Sequence, residues 1–254
     1  MSEIEWDIAR FVGYITLNRP DRMNAINVEL ARELTDAVNA LSNRPDVNVL
    51  VLRGAGGNFC AGGDFDEVQR LRALGPDHLK VLFTEFKVAC DAIANAEVPV
   101  VAAVEGAAAA GGFELMQAVD IVLVADDAKI SDSHINFGMI PGGGSTARLP
   151  RIVGRQIALG LLLSGERFNG CDAVTLGLAF RSFPALDFDR SVSNFVEKLA
   201  ARDLRATSAI KRLVNSGQRC GLSEAIEAEI DQVVEHICCG PGADAPALFA
   251  KRAP

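Results

Sequence analysis

The chain lacks the features that mark several specialised classes of protein. It carries 25 Lys and Arg against 33 Asp and Glu, so its net charge is −8 and it has no basic excess for binding nucleic acid. It also lacks the run of about 18 apolar residues that a membrane helix needs. The most apolar stretch, residues 98–110, is interrupted by Pro99, Glu105 and Gly106. We therefore expect no nucleic-acid partner and no membrane partner.

The cysteines do not form a metal-binding pattern. Six are spread along the chain without C-x-x-C spacing, and the adjacent Cys238 and Cys239 are not a metal signature, so we predict no metal site. The first ten residues, MSEIEWDIAR, are acidic and lack the basic start and apolar run of a signal peptide. These observations predict a cytoplasmic protein with reduced thiols.

The common nucleotide and nucleophile motifs are also missing. A G-x-G-x-x-G reading that starts at Gly54 fails because its sixth position is Phe59. Neither G-x-x-x-x-G-K-[ST] nor G-x-S-x-G occurs. The sequence therefore argues against a dinucleotide fold, a P-loop and a hydrolase nucleophile elbow.

The remaining pattern alternates short apolar runs with helical periodicity, which predicts an α/β protein. An opening hairpin is expected over 4–17, and Asn27 is expected to cap a helix. Apolar stretches predict buried strands at 47–53, 99–104 and 120–125. The last 65 or so residues read as helices, and the apolar positions of the last one are spaced on a single face. These helices are expected either to form a second lobe or to pack on another subunit.

Two of the predicted strands lead into glycines that open helices, at Gly63 and Gly111. The N-terminus of a helix carries free N–H groups and the positive end of its dipole, and glycine allows a ligand to approach closely. Two such ends could donate to one developing oxyanion. The alternative is that both glycines only form tight turns.

At these residues the sequence resembles the enoyl-CoA hydratase/isomerase family, or crotonase superfamily. The resemblance covers most of the chain, and its specific blocks argue against the turn-only interpretation. They are LNRP at 17–20 with MNAI at 23–26, FCAGGDF at 59–65, PVVAAVEG at 99–106 with GGFE at 111–114, and IPGGG at 140–144 with RLPR at 148–151.

The resemblance implies a crotonase-like ββα spiral core at 1–185 and a helical C-terminal trimerisation region at 186–254. It implies a homo-oligomer, either a trimer or a dimer of trimers, and an acyl-CoA thioester as substrate with no separate cofactor. The N–H groups of Gly63 and Gly111 would form the oxyanion hole. Local cations would hold the CoA phosphates, with Arg19, Arg22, Lys251 and Arg252 as candidates. The residues implied to bind substrate or CoA are Arg22, Ala25, Ala61, Gly62, Asp64, Phe65 and Lys251.

One position departs from the family pattern. Hydratases of this family use two glutamates; Glu114 matches the first, but His134 stands where the second is expected. A histidine titrates near neutral pH and can give or take a proton. We therefore expect Glu114 and His134 to be catalytic. The alternative is that His134 is a wall of the pocket, oriented by Asp132.

The leading functional expectation is a lyase that hydrates 2-enoyl-CoA to 3-hydroxyacyl-CoA in fatty-acid metabolism. Because His134 replaces a glutamate, another enolate reaction stays open, either hydrolysis of a C–C bond or isomerisation of a double bond. Isomerisation is the less favoured of the two, because the double-bond isomerases of the family typically rely on the second glutamate. A branch of the superfamily that cleaves β-diketones pairs a histidine at this position with an aspartate, where this chain has Gly143. A non-catalytic or RNA-binding homologue is a third alternative, against which Glu114 and the negative charge argue.

Overall fold

All three predicted apolar runs become interior strands of a six-stranded sheet. A computed structural model of the chain describes residues 2–239. The strands are β1 (Ile4–Ala9), β2 (Val12–Leu17), β3 (Val49–Gly54), β4 (Val100–Val104), β5 (Ala107–Ala109), β6 (Ile121–Ala125), β7 (Lys129–Ser131) and β8 (Arg181–Phe183). The helices are α1 (Val28–Ser42), α2 (Phe65–Leu74), α3 (Pro76–Asn95), α4 (Gly111–Met116), α5 (Ser145–Val153), α6 (Arg155–Ser164), α7 (Gly170–Thr175), α8 (Phe188–Ala200), α9 (Leu204–Gly217) and α10 (Leu222–Cys239).

The large sheet has the order β1-β2-β3-β4-β6-β8. Only β1 and β2 are antiparallel; they form the predicted hairpin around Arg10 and Phe11, whose φ angles are +51° and +64°. The other neighbours are parallel, which requires a crossover between each pair. Strand β4 is buried along its whole length, as its continuous apolar sequence predicts.

A second layer of short strands lies after the ends of the large-sheet strands. Strands β5 and β7 pair in parallel, and single bridges join Cys60 to Ala108 and Ile26 to Gly63. The chain passes from β3 through Cys60 to α2, from β4 through β5 to α4, and from β6 through β7 to a 3₁₀ turn at His134–Phe137. These passages form the ββα repeat, and they bring Gly63, Gly111 and His134 to one region.

Local sequence sets the position of α1. The Asn27 side chain accepts a hydrogen bond from the N–H of Leu30 at 2.7 Å, which confirms the predicted N-cap. The apolar face of the helix is buried against β2 and the neighbouring α3. It consists of Leu30, Leu34, Ala37, Val38 and Leu41.

The C-terminal helices differ in how they pack. Helix α8 joins the main core through Phe188 and Val196, and α9 is fixed to the core by an ion pair of 2.7 Å between the buried Lys211 and Asp120. By contrast, the apolar stripe of α10 is between 46% and 54% exposed. This stripe consists of Ile226, Ile230, Val233, Val234 and Ile237. None of the described helices combines the length and apolarity needed to cross a membrane. The predicted boundary near residue 185 stays a prediction.

Candidate active site

The two predicted helix-opening glycines lie side by side. A Cβ placed on Gly111 would be 3.4 Å from the carbonyl carbon of Gly62, the atom bonded to the nitrogen of Gly63. On either side of Gly63, Ile26 N donates to Gly62 O at 2.7 Å and Asp64 N donates to Ile26 O at 2.8 Å. Within residues 2–239, the N–H groups of Gly63 and Gly111 donate to no protein acceptor. Two backbone N–H groups that have no protein acceptor within this range therefore lie next to each other.

The residue before Gly111 has an unusual backbone. Ala110 has φ +47° and ψ −115°, a conformation that an L side chain rarely adopts. Its N–H donates to Ser131 O at 3.1 Å, and its carbonyl accepts from Glu114 N at 3.0 Å. Such strain collects at functional sites, where the surrounding structure enforces it. No sequence signal predicts this conformation, because alanine is an ordinary residue before a helix.

The side chain of Glu114 is buried one helical turn after Gly111, and it is 2% exposed. Its Oε1 accepts hydrogen bonds from the N–H groups of Gly143 at 2.7 Å and Ser145 at 3.0 Å. Burial raises the pKa of the Glu114 carboxyl, and these two N–H groups and His134 offset only part of the effect. A carboxylate held in this way is a stronger base than one in water.

The loop that binds Glu114 has space for nothing larger than glycine at position 143. A Cβ on Gly143 would be 2.1 Å from a ring carbon of Phe86 and 2.9 Å from Glu114 Oε2. The guanidinium of Arg148 donates to Gly143 O at 2.6 Å and holds the loop from the other side. An aspartate at this position, as in the diketone-cleaving branch, would therefore overlap Phe86. Sequence reasoning missed Phe86, Ser145 and Arg148 because their roles depend on contacts formed in the fold: the Phe86 ring packs against Gly143, the Ser145 N–H donates to Glu114, and Arg148 donates to the Gly143 carbonyl.

His134 lies between two buried carboxyl groups. Its Nδ1 is 2.7 Å from Asp132 Oδ1, and its Nε2 is 3.8 Å from Glu114 Oε2. Burial by itself would lower the pKa of the imidazole, but the hydrogen bond and charge of Asp132, with the charge of Glu114, raise it above 6.5. The structure thus brings Glu114 and His134 together and places Asp132 at the Nδ1 side of the ring. Their catalytic roles stay a prediction.

Six of the seven residues implied to bind substrate or CoA lie in the two chain segments that meet at the Ile26–Gly63 bridge. Asp64 caps α2 by accepting from Glu67 N at 3.2 Å and pairs with Arg19 at 2.8 Å, while Arg19 also contacts Glu3 at 3.1 Å. The guanidinium of Arg19 is therefore used within the fold. Arg22 lies on the surface beside Asp66 at 2.8 Å.

The other implied CoA residues contribute backbone groups or exposed surface. Ala61 N donates to Met23 O at 2.9 Å, and the carbonyl of Ala25 accepts from Arg19. Gly62 has φ +114°, and a Cβ there would be 2.9 Å from that of Ala110. Phe65 is exposed. Lys251 and Arg252 lie outside the described residues.

Comparisons with known proteins agree with this architecture. The family model described as enoyl-CoA hydratase/isomerase matches residues 7–238. A protein of Rhizobium meliloti named probable enoyl-CoA hydratase is 35% identical over 86% of this chain and 83% of its own length. A peroxisomal Delta(3,5)-Delta(2,4)-dienoyl-CoA isomerase of Arabidopsis thaliana is 28% identical over 85% of this chain and 81% of its own length.

Solved structures show the same fold. The crystal structure of an enoyl-CoA hydratase from Polaromonas sp. JS666 superposes with a TM-score of 0.94 at 32% identity, over 99% of this chain and 98% of that one. The predicted crotonase-like α/β fold is therefore confirmed.

Proposed function

Because this chain belongs to the enoyl-CoA hydratase/isomerase family of crotonase-type enzymes, we propose that it hydrates 2-enoyl-CoA to 3-hydroxyacyl-CoA. The observation that carries the proposal is the pairing of Glu114 and His134, 3.8 Å apart, beside the two free N–H groups of Gly63 and Gly111. A base, an acid and a pair of oxyanion donors are what this addition of water requires.

In the proposed reaction, the N–H groups of Gly63 and Gly111 bind the thioester carbonyl oxygen. Addition of water to C3 moves an electron pair onto this oxygen and forms an enolate. Each donor aimed at such an oxyanion contributes about 3–4 kcal/mol in the transition state. The crowded contact between Gly62 and Ala110 supports this role, because it fixes both peptide groups before the substrate arrives.

Glu114 and His134 would carry the two proton transfers. Glu114 takes a proton from the water as its oxygen bonds to C3, and protonated His134 gives a proton to C2 as the enolate collapses. Both pKa shifts support these roles: Glu114 is made more basic, and His134 stays protonated to a higher pH than a free imidazole. The proton on Glu114 then returns to His134 through solvent, which resets the site.

We propose that the CoA part lies along the segment that leads to Gly63. Ala25, Ala61 and Gly62 would offer their backbone groups to it, and Phe65 and Arg22, which are both exposed, would contact its outer part. Asp64 acts indirectly, since its carboxylate already caps α2 and pairs with Arg19. Lys251 is proposed to complete the phosphate site.

The exposed stripe on α10 supports a homo-oligomer, for which the family resemblance suggests a trimer or a dimer of trimers. Five half-exposed aliphatic residues along one helix face make a contiguous apolar surface, and such surfaces mark interfaces between proteins. We propose that the last helices pack against neighbouring copies of the chain.

A second candidate is a different enolate reaction at the same site, because His134 stands in place of a carboxylate. Isomerisation is the version with most support, since one relative bears the name of a dienoyl-CoA isomerase. Hydrolysis of a C–C bond has less support, because Gly143 leaves no room for the aspartate of the diketone-cleaving branch.

A panel of acyl-CoA thioesters separates these candidates. Each is incubated with the purified chain in ordinary water and in heavy water, and the masses of the products are measured by mass spectrometry. Hydration adds the mass of one water; isomerisation leaves the mass unchanged in ordinary water but incorporates deuterium in heavy water; hydrolysis shortens the carbon chain. Glu114→Gln, measured in parallel, identifies turnover by a contaminating enzyme. No turnover of any 2-enoyl-CoA would contradict the proposal.

A further inference from the structure

Asp132 lies directly behind His134, on the side of the ring that faces away from Glu114. Asp132 follows β7 and is 1% exposed, and its Oδ1 is 2.7 Å from His134 Nδ1. Its second oxygen, Oδ2, is buried and has no hydrogen-bond partner in the described part of the chain. Among the described residues, no hydrogen bond joins Asp132 to Glu114.

We propose that Asp132 is a positioning residue that fixes the tautomer and the charge of His134. The proton that His134 transfers is then always the one bound to Nε2. This inference rests on the proposed role of His134 as the acid at C2. A carboxylate can only accept, so a contact of 2.7 Å requires the hydrogen to be on Nδ1. Nε2, the nitrogen 3.8 Å from Glu114, is then the one that gains and loses a proton.

The same carboxylate supports the charge on the ring. Among the described residues, two charged groups face His134 within ion-pair distance: Asp132, from the segment after β7, and Glu114, from α4. Helix α6 packs against the turn that carries His134 but contributes no ion pair to it. Glu114 must change its own charge during the reaction. Of these two carboxylates, Asp132 is therefore the one that takes no part in proton transfer and can support the imidazolium throughout.

The buried Oδ2 oxygen without a partner argues that Asp132 does more than fill space. A buried acceptor without a partner destabilises the fold, and a buried charge does so more strongly. An asparagine would fill the same space and could still contact Nδ1 without the burial of a charge. A full carboxylate at this place is explained if its charge is used, as with the carboxylates that orient histidines in other active sites.

The first test measures the ring directly. The chain has three histidines, so NMR of isotope-labelled histidine gives few signals, and His134→Asn identifies the one of interest. In the unaltered protein we expect the neutral ring of His134 to carry its hydrogen on Nδ1 and its pKa to lie above 6.5. In Asp132→Asn the amide can donate to Nδ1, so the hydrogen should move to Nε2 and the pKa should fall.

The second test is kinetic. Asp132→Asn should lower kcat by roughly 10–100-fold, the usual effect of losing a carboxylate that orients a histidine. It should leave KM nearly unchanged and move the alkaline limb of the kcat–pH profile, which reports loss of the proton from His134, to lower pH. His78→Asn, which alters an exposed histidine, is the matched control and should change neither parameter.

The two tests distinguish failure of this inference from failure of the proposed function. The inference is overturned if His134 of the unaltered protein carries its hydrogen on Nε2, a measurement that does not depend on any variant folding. It is also overturned if folded Asp132→Asn keeps the tautomer and pKa of the unaltered protein. If both NMR results are as expected and no enoyl-CoA is hydrated, the positioning of His134 stands and the proposed reaction is wrong.

Discussion

Replacing Glu114 by Gln removes one charge and leaves the surrounding structure almost unchanged. The Gln Oε1 can still accept from the N–H groups of Gly143 and Ser145, which now bond to the carboxylate at 2.7 and 3.0 Å. What is lost is the ability to take a proton from water. A positioned base contributes roughly 10²–10⁴-fold to a rate, so kcat should fall by this factor. The fall corresponds to a loss of about 3–5 kcal/mol of transition-state stabilisation.

Binding should survive the same change, because the proposed thioester contacts come from the backbone of Gly63 and Gly111. We expect the Kd of a non-reacting acyl-CoA to change by less than about threefold, an effect below 1 kcal/mol. The assay follows loss of the ultraviolet absorbance of the conjugated thioester, and calorimetry measures binding. Unchanged turnover would remove Glu114 from the mechanism.

The substitution also has a signed effect on stability. The pKa of Glu114 is raised in the folded protein, so its favourable contribution is fully present below the unfolded value of 4.5 and is lost as pH rises through the folded pKa. At about pH 8 the buried carboxylate therefore lowers the free energy of unfolding. Gln removes this effect, so Tm should be higher than that of the unaltered protein at about pH 8 and nearly equal at about pH 4. A lower Tm at both pH values would refute this reasoning.

Three further changes test other parts of the site. His134→Ala should lower kcat by roughly 10²–10⁴-fold and remove the limb of the pH–rate profile near neutrality; an unchanged profile would leave His134 as a wall of the pocket. Gly143→Ala should lower the free energy of unfolding by about 1–3 kcal/mol in urea titration, because the added methyl overlaps Phe86, whereas Gly160→Ala on the open surface of α6 should not. Deletion of residues 248–254 should weaken CoA binding in calorimetry without lowering Tm, and full binding by a monomeric truncated chain would contradict the proposed phosphate site.

Elements with a strong local signal were predictable from the sequence. The cap at Asn27 and the apolar period after it specify α1, and the uninterrupted run VVAAV specifies β4, because a strand covered on both faces has no polar positions. Strands β5 and β7 were not predicted. Each has three residues, and each exists only because distant segments of chain pair beside it.

In the candidate site, too, some residues were predictable from the sequence and others were not. Glu114 and His134 were found from their place in the motifs, and the fold brings them to 3.8 Å. The roles of Phe86 and Ala110 depend on contacts that no spacing encodes. Arg19 is a related case: its charge suggested a phosphate ligand, but the structure engages it with Asp64 and Glu3. A cation in a motif is thus ambiguous until its partners are known.

The pairing of Asp132 with His134 implies that the effect of a substitution at one of these positions depends on the residue at the other. A Glu at position 134 would reproduce the two-glutamate arrangement that the family resemblance describes, but it would also put three carboxyl groups in one buried site. Like charges raise one another's pKa, so at least one of the three would be protonated and unable to act as a base. We therefore expect His134→Glu combined with Asp132→Asn to hydrate enoyl-CoA faster than His134→Glu alone. The effect of Asp132→Asn would then reverse in sign between the two backgrounds. Equal or faster turnover by the single variant would show that the charge of Asp132 does not act on position 134.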